Sequence, residues 1–383
     1  MKLNDIAEFV TDKISSSGIS LDRYVTTDSL LQNRRGRETA QNLPPMPCAL
    51  THYRQGDVLV ANIRPYLKKV WYADSEGGCS SDVLAFRAKN GHCPSFLYTV
   101  LMQDAFFDYA MSGAKGSKMP RGDKDQIMRY ELPTFTPLEE ENIGNMMVDI
   151  MSKINVNRQI NDNLEAMAKQ LYDYWFVQFD FPNEDGKPYK SSGGAMVWND
   201  KLKREIPQGW DFCFLEDLLT IRNGRDHKHL ADGIYPVYGS GGEMRKVSEY
   251  LYDGESVLMP RKGSLNNIMY VNEAFWTVDT MFYSEMKLSN CAKYIYYTIK
   301  DIDFTRWDSG TGVPSMTSST LYSIKLVKPQ NETLKKFDEM ISPLFEHMKQ
   351  ISKQNVVLTK HRDELLPLLM NGQASVNYHL SAC

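Results

Sequence analysis

Cationic and amide side chains are concentrated in one segment of the second half of the chain, Pro260-Arg261-Lys262-Gly263-Ser264-Leu265-Asn266-Asn267. A guanidinium can donate two hydrogen bonds to guanine O6 and N7, and a carboxamide can form two hydrogen bonds with adenine. Glycine allows the backbone to approach a phosphate closely. The segment is therefore a candidate DNA contact, to bases or to phosphates, through Arg261, Lys262, Asn266 and Asn267. A solvated hairpin turn is the alternative interpretation.

The first half of the chain carries a similar basic segment at the corresponding place, Ile63-Arg64-Pro65-Tyr66-Leu67-Lys68-Lys69. Its candidate contacts are Arg64, Lys68 and Lys69. Local clusters of positive charge, rather than the total charge of a protein, set the field that a phosphate backbone meets. Because the basic loop occurs in both halves, DNA contact is favoured over a solvated turn.

A second loop recurs after a Ser-Gly dipeptide that both halves share. It covers residues 112–121 in the first half and residues 306–316 in the second. Small, polar and cationic residues in such a loop suit phosphate binding, whereas Trp307 is predicted to belong to the core. The candidates here are Lys115, Lys118, Arg121 and Thr311. A third basic cluster, for which a plain solvent-facing loop is nearly as well supported, consists of Arg222, Arg225 and Lys228.

Patterns typical of catalysis or of cofactor binding are absent from the sequence. There is no Gly-x-x-x-x-Gly-Lys-Ser/Thr loop for a nucleotide and no His-Glu-x-x-His spacing for a metal. The segment Asn42-Leu43-Pro44-Pro45-Met46 differs by one inserted residue from the Asn/Asp-Pro-Pro-Tyr/Phe motif of amino-methyltransferases, and we interpret it as a proline turn. The sequence thus predicts a protein without catalytic residues, metal or cofactor.

Composition favours a multidomain protein of the cytoplasm. The chain has 383 residues, 42% of them hydrophobic, and a formal net charge of −4. No apolar run reaches the length that crosses a membrane. The six cysteines form no Cys-x-x-Cys pair, which argues against a zinc site and a disulfide framework and fits a reducing compartment.

The elements that would position these loops are repeated along the chain. Gly56-Asp57-Val58-Leu59-Val60 returns 198 positions later as Gly254-Glu255-Ser256-Val257-Leu258, and later motifs follow in the same order. A duplicated unit of this length predicts two similar modules related by a pseudo-two-fold axis. We therefore expect an α+β fold with two mixed, strand-rich modules, each followed by a long helix.

Each module is followed by a heptad pattern. Apolar residues alternate at spacings of four and three over four heptads, which is typical of a coiled-coil seam, and a helix from Ile143 to Trp175 would be about 50 Å long. The first seam has the rows Ile143, Ile150, Asn157, Leu164, Leu171 and Met147, Ile154, Asn161, Ala168, Trp175. The second has Phe337, Leu344, Ile351, Leu358, Leu365 and Ile341, Met348, Asn355, Arg362, Leu369.

Polar residues inside these seams suggest a further role. Buried asparagine pairs can fix the register and orientation of a coiled coil, and the candidates are Asn157, Asn161 and Asn355. Solvent exposure where the helices splay is an equally supported interpretation. Trp175 and Phe176 begin an apolar cluster at the end of the first helix, which serves either as core or as an anchor for a partner protein.

Turn residues and the heptad pattern predict six segments. We expect a first strand-rich module over residues 1–137, a first helix over 138–178 and a polar linker over 179–205. A second module over 206–329, a second helix over 330–372 and a tail over 373–383 complete the chain.

One long string in the linker resembles the central conserved region of the specificity subunit of type I restriction-modification systems. It runs from Trp175 to Gly194, with the core Phe179-Asp180-Phe181-Pro182-Asn183-Glu184-Asp185-Gly186-Lys187-Pro188, and continues through Met196-Val197-Trp198 to Glu205-Ile206-Pro207-Gln208-Gly209-Trp210. Residues 362–372 are similar to the second conserved helix of that family. The match covers essentially the whole architecture, although the recognition modules match in pattern only.

The resemblance implies a division of labour between the modules and the helices. Each module would read one half of a bipartite double-stranded DNA target, and the helices would pair as an antiparallel coiled coil that sets the spacing. Two methyltransferase subunits would dock on this assembly, and restriction subunits could join in turn. A coiled-coil scaffold that binds protein partners without reading DNA is the alternative function.

Overall fold

A computed structural model describes residues 1–307 and 314–376. The chain divides into two compact units. Unit 1 comprises Met1–Asn161 and Gln350–Cys383, and unit 2 comprises Asp162–Lys349. Each unit combines a strand-rich module with one segment from each of the two long helices, so a unit is assembled from parts that are distant in sequence.

Unit 1 contains two four-stranded sheets with the strand orders β1-β8-β5-β6 and β2-β4-β7-β3. Its strands are β1 (Ala7–Phe9), β2 (Lys13–Ser15), β3 (Tyr24–Val25), β4 (Ala49–Tyr53), β5 (Val58–Ala61), β6 (Val70–Tyr72), β7 (Gly77–Cys79) and β8 (Val83–Ala88). Its helices are α1 (Leu3–Ile6), α2 (Pro94–Leu101), α3 (Asp104–Ser112) and α4 (Lys124–Ile127). Helix α5 spans Pro137–Tyr172, and unit 1 contains its first part, up to Asn161.

Unit 2 contains a six-stranded sheet with the order β12-β17-β15-β16-β13-β14 and two small two-stranded sheets. Its strands are β9 (Met196–Asn199), β10 (Arg204–Pro207), β11 (Asp211–Phe214), β12 (Leu219–Asn223), β13 (Asp232–Gly239), β14 (Gly242–Val247), β15 (Tyr252–Pro260), β16 (Met269–Thr277), β17 (Met281–Met286) and β18 (Lys325–Lys328). Its helices are α6 (Leu215–Leu218), α7 (Ala292–Lys300), α8 (Ser318–Tyr322) and the first part of α9 (Asn331–Met370).

The two modules share a strand order. The short helices α1 and α6 each lead into an edge strand, and β1-β8-β5-β6 corresponds to β12-β17-β15-β16. Val58 pairs with Tyr72 in unit 1, and Val257 pairs with Tyr270 in unit 2. The alignment at a shift of 198 positions sets Tyr72 against Tyr270 and Val58 against Ser256. Since the partner of Tyr270 is Val257, this alignment is wrong by one residue in strand β15. Hydrogen-bonded register, which the sequence does not display, decides the equivalence.

The seam residues of the long helices are shared between the cores of both units. In unit 1 Ile143, Met147 and Ile154 are buried together with Phe86 and Phe96 of the module. Each fully buried large side chain stabilises the folded state by about 1.5–3 kcal/mol relative to its exposed state. The seams therefore attach the helices to the modules. The predicted mixture of strand-rich modules and long helices is confirmed.

Helix α9 contributes to unit 2 through Phe337 and Ile341, which are buried beside Tyr294 and Trp175. It is continuous over 40 residues. At about 1.5 Å per residue, α5 with its 36 residues is roughly 54 Å long. None of the helices within the described residues combines the length and the apolarity that a membrane span requires.

Candidate nucleic-acid interface

The two candidate loops of unit 2 meet in a short antiparallel ladder. Lys262 forms a bridge with Ser315. The N–H of Gly263 donates to the carbonyl of Pro314 at 3.0 Å, and the N–H of Met316 donates to that of Arg261 at 2.8 Å. The segment after β15 and the segment before α8 thus form one surface.

Unit 1 contains the same ladder between its own two candidate loops. Ile63 forms a bridge with Arg121. The N–H of Arg64 donates to the carbonyl of Pro120 at 2.8 Å, and the N–H of Gly122 donates to that of Asn62 at 3.2 Å. Loops that the sequence indicated as separate candidates are therefore neighbours in both units. Their contact with DNA stays a prediction.

Arg225 and Arg261 flank one turn of unit 2. The N–H of Arg225 donates to the carbonyl of Thr277 and the N–H of Arg261 to that of Thr280, each at 2.8 Å. The guanidinium of Arg261 lies 5.9 Å from the centre of the Phe282 ring. Within the described part of the chain, no carboxylate lies at ion-pair distance from Arg225, Lys228, Arg261 or Lys262. These exposed cations are available to an external anion.

The two amides of the same loop are engaged in holding the loop in place. The Nδ2 of Asn266 donates to Asp303 at 3.2 Å, and its Oδ1 accepts from the N–H of Phe304 at 2.9 Å. The Nδ2 of Asn267 donates to the carbonyl of Ser240 at 2.9 Å. Reading of adenine by either amide would require these hydrogen bonds to break.

The remaining candidates of unit 2 differ in their surroundings. Arg222 pairs with Glu285 at 3.0 Å, and this hydrogen-bonded carboxylate raises the pKa of Arg222. Its charge is therefore already compensated. Trp307 has 42% of its surface exposed, so its assignment to the core was wrong. Thr311 lies outside the described residues.

Most of the candidate cations of unit 1 have acidic or carbonyl partners. Lys68 pairs with Asp104 at 2.6 Å, Lys115 with Asp123 at 3.1 Å and Arg121 with Asp82 at 3.1 Å. Lys69 donates to the carbonyl of Thr27, and burial lowers its pKa. The loops of unit 1 therefore carry less uncompensated charge than those of unit 2.

Arg64 and Lys118 are the two candidates of unit 1 whose side chains have, among the described residues, neither a carboxylate at ion-pair distance nor a carbonyl acceptor. Lys118 is exposed. Arg64 has a left-handed backbone, with φ of 51°, and its buried Nε has no hydrogen-bond partner. A left-handed conformation costs an L-residue roughly 1–2 kcal/mol. Such strain is found where the surrounding structure holds a residue for a function.

A third loop of unit 1 was missed by the sequence reasoning. Residues 33–37 read Asn33-Arg34-Arg35-Gly36-Arg37, and this density of arginine was the signal that could have identified them. The N–H of Asn33 donates to the carbonyl of Leu67 at 2.9 Å, and the N–H of Arg34 to that of Lys68 at 2.8 Å. This arginine loop, residues 33–37, therefore extends the candidate surface of unit 1.

The asparagines of the seam form a hydrogen-bonded cluster in unit 1. Asn157 has 1% of its surface exposed, and its Nδ2 donates to Gln354 at 2.7 Å and to Asn355 at 2.9 Å. The Nδ2 of Asn161 donates to Ser352 at 3.0 Å. A role in register stays a prediction, and these contacts supply its geometry.

Trp175 and Phe176 lie in the core of unit 2, with 2% and 5% of their surfaces exposed. The Phe176 ring lies 4.8 Å from that of Phe337 in an edge-on arrangement. Packing of this kind fixes the end of α5 on the module. Neither ring presents a surface to a partner, so any part they take in docking is indirect.

Within residues 1–307 and 314–376, no group of three or more histidine, cysteine, aspartate or glutamate side chains is arranged to hold a metal ion. The joined loops of each unit carry cations and amides, some of them paired with carboxylates. Loops with uncompensated cations suit binding of an extended polyanion.

Part of the second half of the chain matches a known protein family. Residues 207–358 match the family described as the type I restriction modification DNA specificity domain. The MjaIX type I specificity subunit of Methanocaldococcus jannaschii is 24% identical over 371 residues, covering 89% of this chain and 83% of that protein. The HindI type I specificity subunit of Haemophilus influenzae is 20% identical over 450 residues, covering 97% and 98%. Specificity subunits are non-catalytic components of their complexes.

The fold is also shared with a solved structure. The S subunit of a type I restriction-modification system from M. genitalium superposes with a TM-score of 0.63 at 16% identity, covering 97% of this chain and 95% of that one. The resemblance to type I specificity subunits is thus confirmed by the family model over residues 207–358 and by relatives over most of the chain. The solved structure shows that the fold is shared.

Proposed function

We propose that this chain, whose second half matches a type I DNA specificity domain, is the sequence-reading and non-catalytic subunit of a DNA methylation and restriction complex. The observation that carries the proposal is the ladder found in both units. In each unit it joins two loops that bear cations. Two copies of one reading surface suit a DNA target with two half-sites.

The modules over residues 1–137 and 206–329 act as the two recognition domains, one for each half-site. Residues 179–205 link them, and residues 373–383 form a tail. Phosphate contacts position each module, and side chains that reach base edges specify the sequence. Arg225, Arg261 and Lys262 are the best-placed residues of the second module because no acidic neighbour among the described residues compensates their charge.

The spacer helices over residues 138–178 and 330–372 pair as an antiparallel coiled coil with pseudo-two-fold symmetry. Contacts in unit 1 support this arrangement, because residue numbers fall along α9 as they rise along α5. Met151 contacts Arg362, Asn157 contacts Asn355, and Asn161 contacts Ser352. A rod of roughly 50 Å would hold the half-sites about one DNA turn or more apart, at about 34–36 Å per turn.

Two methyltransferase subunits, with restriction subunits joining them, act as partners in the cytoplasm. Trp175 and Phe176 anchor the end of α5, and the neighbouring Tyr174 and Val177 have 37% and 53% of their surfaces exposed. We therefore place a partner contact on Tyr174 and Val177, and the buried rings of Trp175 and Phe176 hold this segment against the core of unit 2.

Methylome sequencing of the host with and without the gene tests the proposal. We expect adenine or cytosine methylation at one bipartite motif to disappear when the gene is deleted and to return with the intact gene. Unchanged methylation, together with retained binding of protein partners, would favour the scaffold function instead. Because the sequencing itself reveals the motif, the target sequence need not be specified beforehand.

Arg261 provides a test at the level of one residue. If its guanidinium binds a guanine, Arg261→Ala should weaken binding by about 1–3 kcal/mol and relax one base position, whereas a phosphate contact would weaken all sequences alike and lower the salt slope by about one. Binding of the complex to single-base variants at two salt concentrations distinguishes these results.

Arg222→Ala is the matched control, because Glu285 already compensates Arg222. It removes the same side chain from the same module, and we expect little change in affinity. Equal effects of the two variants would contradict the assignment of Arg261 to the interface.

A further inference from the structure

Arg34 fixes the arginine loop, residues 33–37, to the module of unit 1. Its guanidinium is buried and donates to the carbonyl of Met102 and to Asp104. Asn33, Arg34 and Gly36 all have left-handed backbones, with φ of 56°, 60° and 82°. Arg34 is buried, and the backbone N–H groups of Asn33 and Arg34 donate to the carbonyls of residues 67 and 68. The side chain of Arg35, between them and Gly36, is exposed.

The arginine loop rests against one face of α5. A Cβ added to Gly36 would lie 3.9 Å from the Nδ2 of Asn155, so the loop backbone lies close to this amide. The Oδ1 of the same Asn155 accepts a hydrogen bond from Arg158 at 3.0 Å. Asn155 therefore connects the loop that carries Arg35 to the second arginine.

A third arginine reaches this face from α9. Met151 lies one turn before Asn155, and its sulfur contacts the guanidinium of Arg362 at 3.7 Å. Residues 151, 155 and 158 follow the spacing that places side chains on one helix face. Arg362 is 5% exposed and pairs with its neighbour Asp363 at 2.8 Å. Positive charge thus converges on Asn155 from three segments.

The charge of this cluster is only partly compensated. No carboxylate among the described residues lies at ion-pair distance from Arg35 or Arg158. Burial, followed by the positive charges of Arg35 and Arg362, lowers the pKa of Arg158. Unit 2 offers a contrast, because Lys300 pairs with Glu165 on α5 and Lys349 of α9 pairs with Glu273. Mutual repulsion among arginines is relieved when an anion binds between them.

We infer that Arg35 and Arg158 together bind a phosphate of the DNA backbone, and that the buried Arg362 of α9 adds positive charge to this site. The inference rests on the proposed function and adds a contact outside the reading loops. The arginine loop is hydrogen-bonded to the 62–69 loop of the candidate surface, so a duplex on that surface would pass beside it. Guanidinium groups bind phosphate with two parallel hydrogen bonds. Such a contact positions the duplex without reading its sequence.

The test compares variants of the full chain assembled with its methyltransferase subunits. The probes are a duplex that carries the motif found by methylome sequencing and a duplex of scrambled sequence. Arg35→Gln and Arg158→Gln should each weaken binding of both duplexes about tenfold. Each should also reduce the slope of log affinity against log salt by about one. Arg158→Lys keeps the charge and should keep most of the slope.

Lys153→Gln is the matched control. Lys153 is exposed on the same helix, and five residues rotate the helix by about 140° relative to Arg158. This variant removes one charge without touching the cluster, so affinity and slope should stay as in the wild type. Thermal unfolding of each assembled complex verifies that the variants are folded.

Three results would overturn the inference. The first is an unchanged salt slope in both glutamine variants, and the second is an equal loss of DNA affinity in Lys153→Gln. The third is that the glutamine variants fail to assemble with the methyltransferase subunits, because the cluster would then bind a carboxylate of a partner protein and not DNA. In each case Arg261→Ala still weakens binding if the proposed function is right. Absence of sequence-dependent binding in the wild-type complex would reject the proposed function itself.

Discussion

Replacement of Asn157 by alanine should destabilise unit 1 measurably. Asn157 is 1% exposed and donates two hydrogen bonds, to Gln354 at 2.7 Å and to Asn355 at 2.9 Å. A net hydrogen bond between neutral groups contributes about 0.5–1.5 kcal/mol, so two contribute about 1–3 kcal/mol. Alanine has a higher helix propensity than asparagine by several tenths of a kcal/mol. The free energy of unfolding should therefore fall by about 1–2 kcal/mol.

A double-mutant cycle in urea assigns this loss to the asparagine pair. Asn157→Ala, Asn355→Ala and the double variant should show a coupling energy of about 1 kcal/mol, because each single variant already removes the shared hydrogen bond. Asn163→Ala is the control, since Asn163 lies on the same helix and is exposed. Additive losses, or an equal loss in the control, would refute the assignment of Asn157 to a buried pair.

The same pair can be tested for its role in register. A double replacement by leucine removes both polar groups from the seam and should raise the free energy of unfolding while relaxing the register, as apolar replacements of buried asparagine do in coiled coils. Methylome sequencing should then show loss of the motif or half-sites at altered spacing. A more stable complex that still methylates the original motif would show that these asparagines do not fix the spacing.

Two further predictions concern stability and thiol chemistry. Lys293 is buried and pairs with Glu255 at 2.6 Å and with Asp338 at 2.8 Å. Lys293→Ala should therefore lower the free energy of unfolding by about 3–5 kcal/mol. Lys335 belongs to an exposed ion pair, so Lys335→Ala should change this free energy by less than about 1 kcal/mol. Burial raises the pKa of the Cys79, Cys213 and Cys291 thiols to about 12 from 9.0. In the native protein a thiol reagent should react with Cys48 but not with these three. The contribution of the three thiols to the free energy of unfolding should be fully present below about pH 9 and should be lost as the pH rises toward 12. The reason is that the unfolded chain releases thiol protons in this range and the folded chain retains them. Ready reaction of the three thiols under native conditions would contradict their burial.

Long-range periodicity was the part of the fold that the sequence predicted best. Heptads from Ile143 onward indicated α5, and those from Phe337 onward indicated α9, because an apolar stripe over four heptads has few structural alternatives. The short motifs Leu3-Asn4-Asp5-Ile6 and Leu215-Glu216-Asp217-Leu218 stand at the equivalent starts of the two modules, and both form short helices. Local patterns of this kind are determined by neighbours along the chain.

Features that depend on tertiary contacts were not predictable in the same way. The one-residue offset of β15 follows from its pairing with β16, and the joining of the loops follows from hydrogen bonds between residues such as Gly263 and Pro314. The engagement of Asn266 by Asp303 and Phe304 likewise depends on a segment 37 residues away. Residue type shows what a side chain can bind, and only the fold shows which partner it has already bound.

The distribution of ion pairs differs between the two units. Both units hold their loops with the same ladder, so the backbone that presents the side chains is common to them. In unit 1, Lys68, Lys115 and Arg121 are paired with carboxylates, whereas Arg35 and Arg158 beside α5 have no carboxylate at ion-pair distance among the described residues. In unit 2, Lys300 and Lys349 beside the helices are paired, whereas the loop residues Arg225 and Arg261 have no such partner in the described part of the chain. Because phosphate contact depends on uncompensated charge, we expect the two modules to contact the DNA backbone at different places. Under the proposed function, different side chains on the shared ladder would then change the sequence that is read while the fold stays the same.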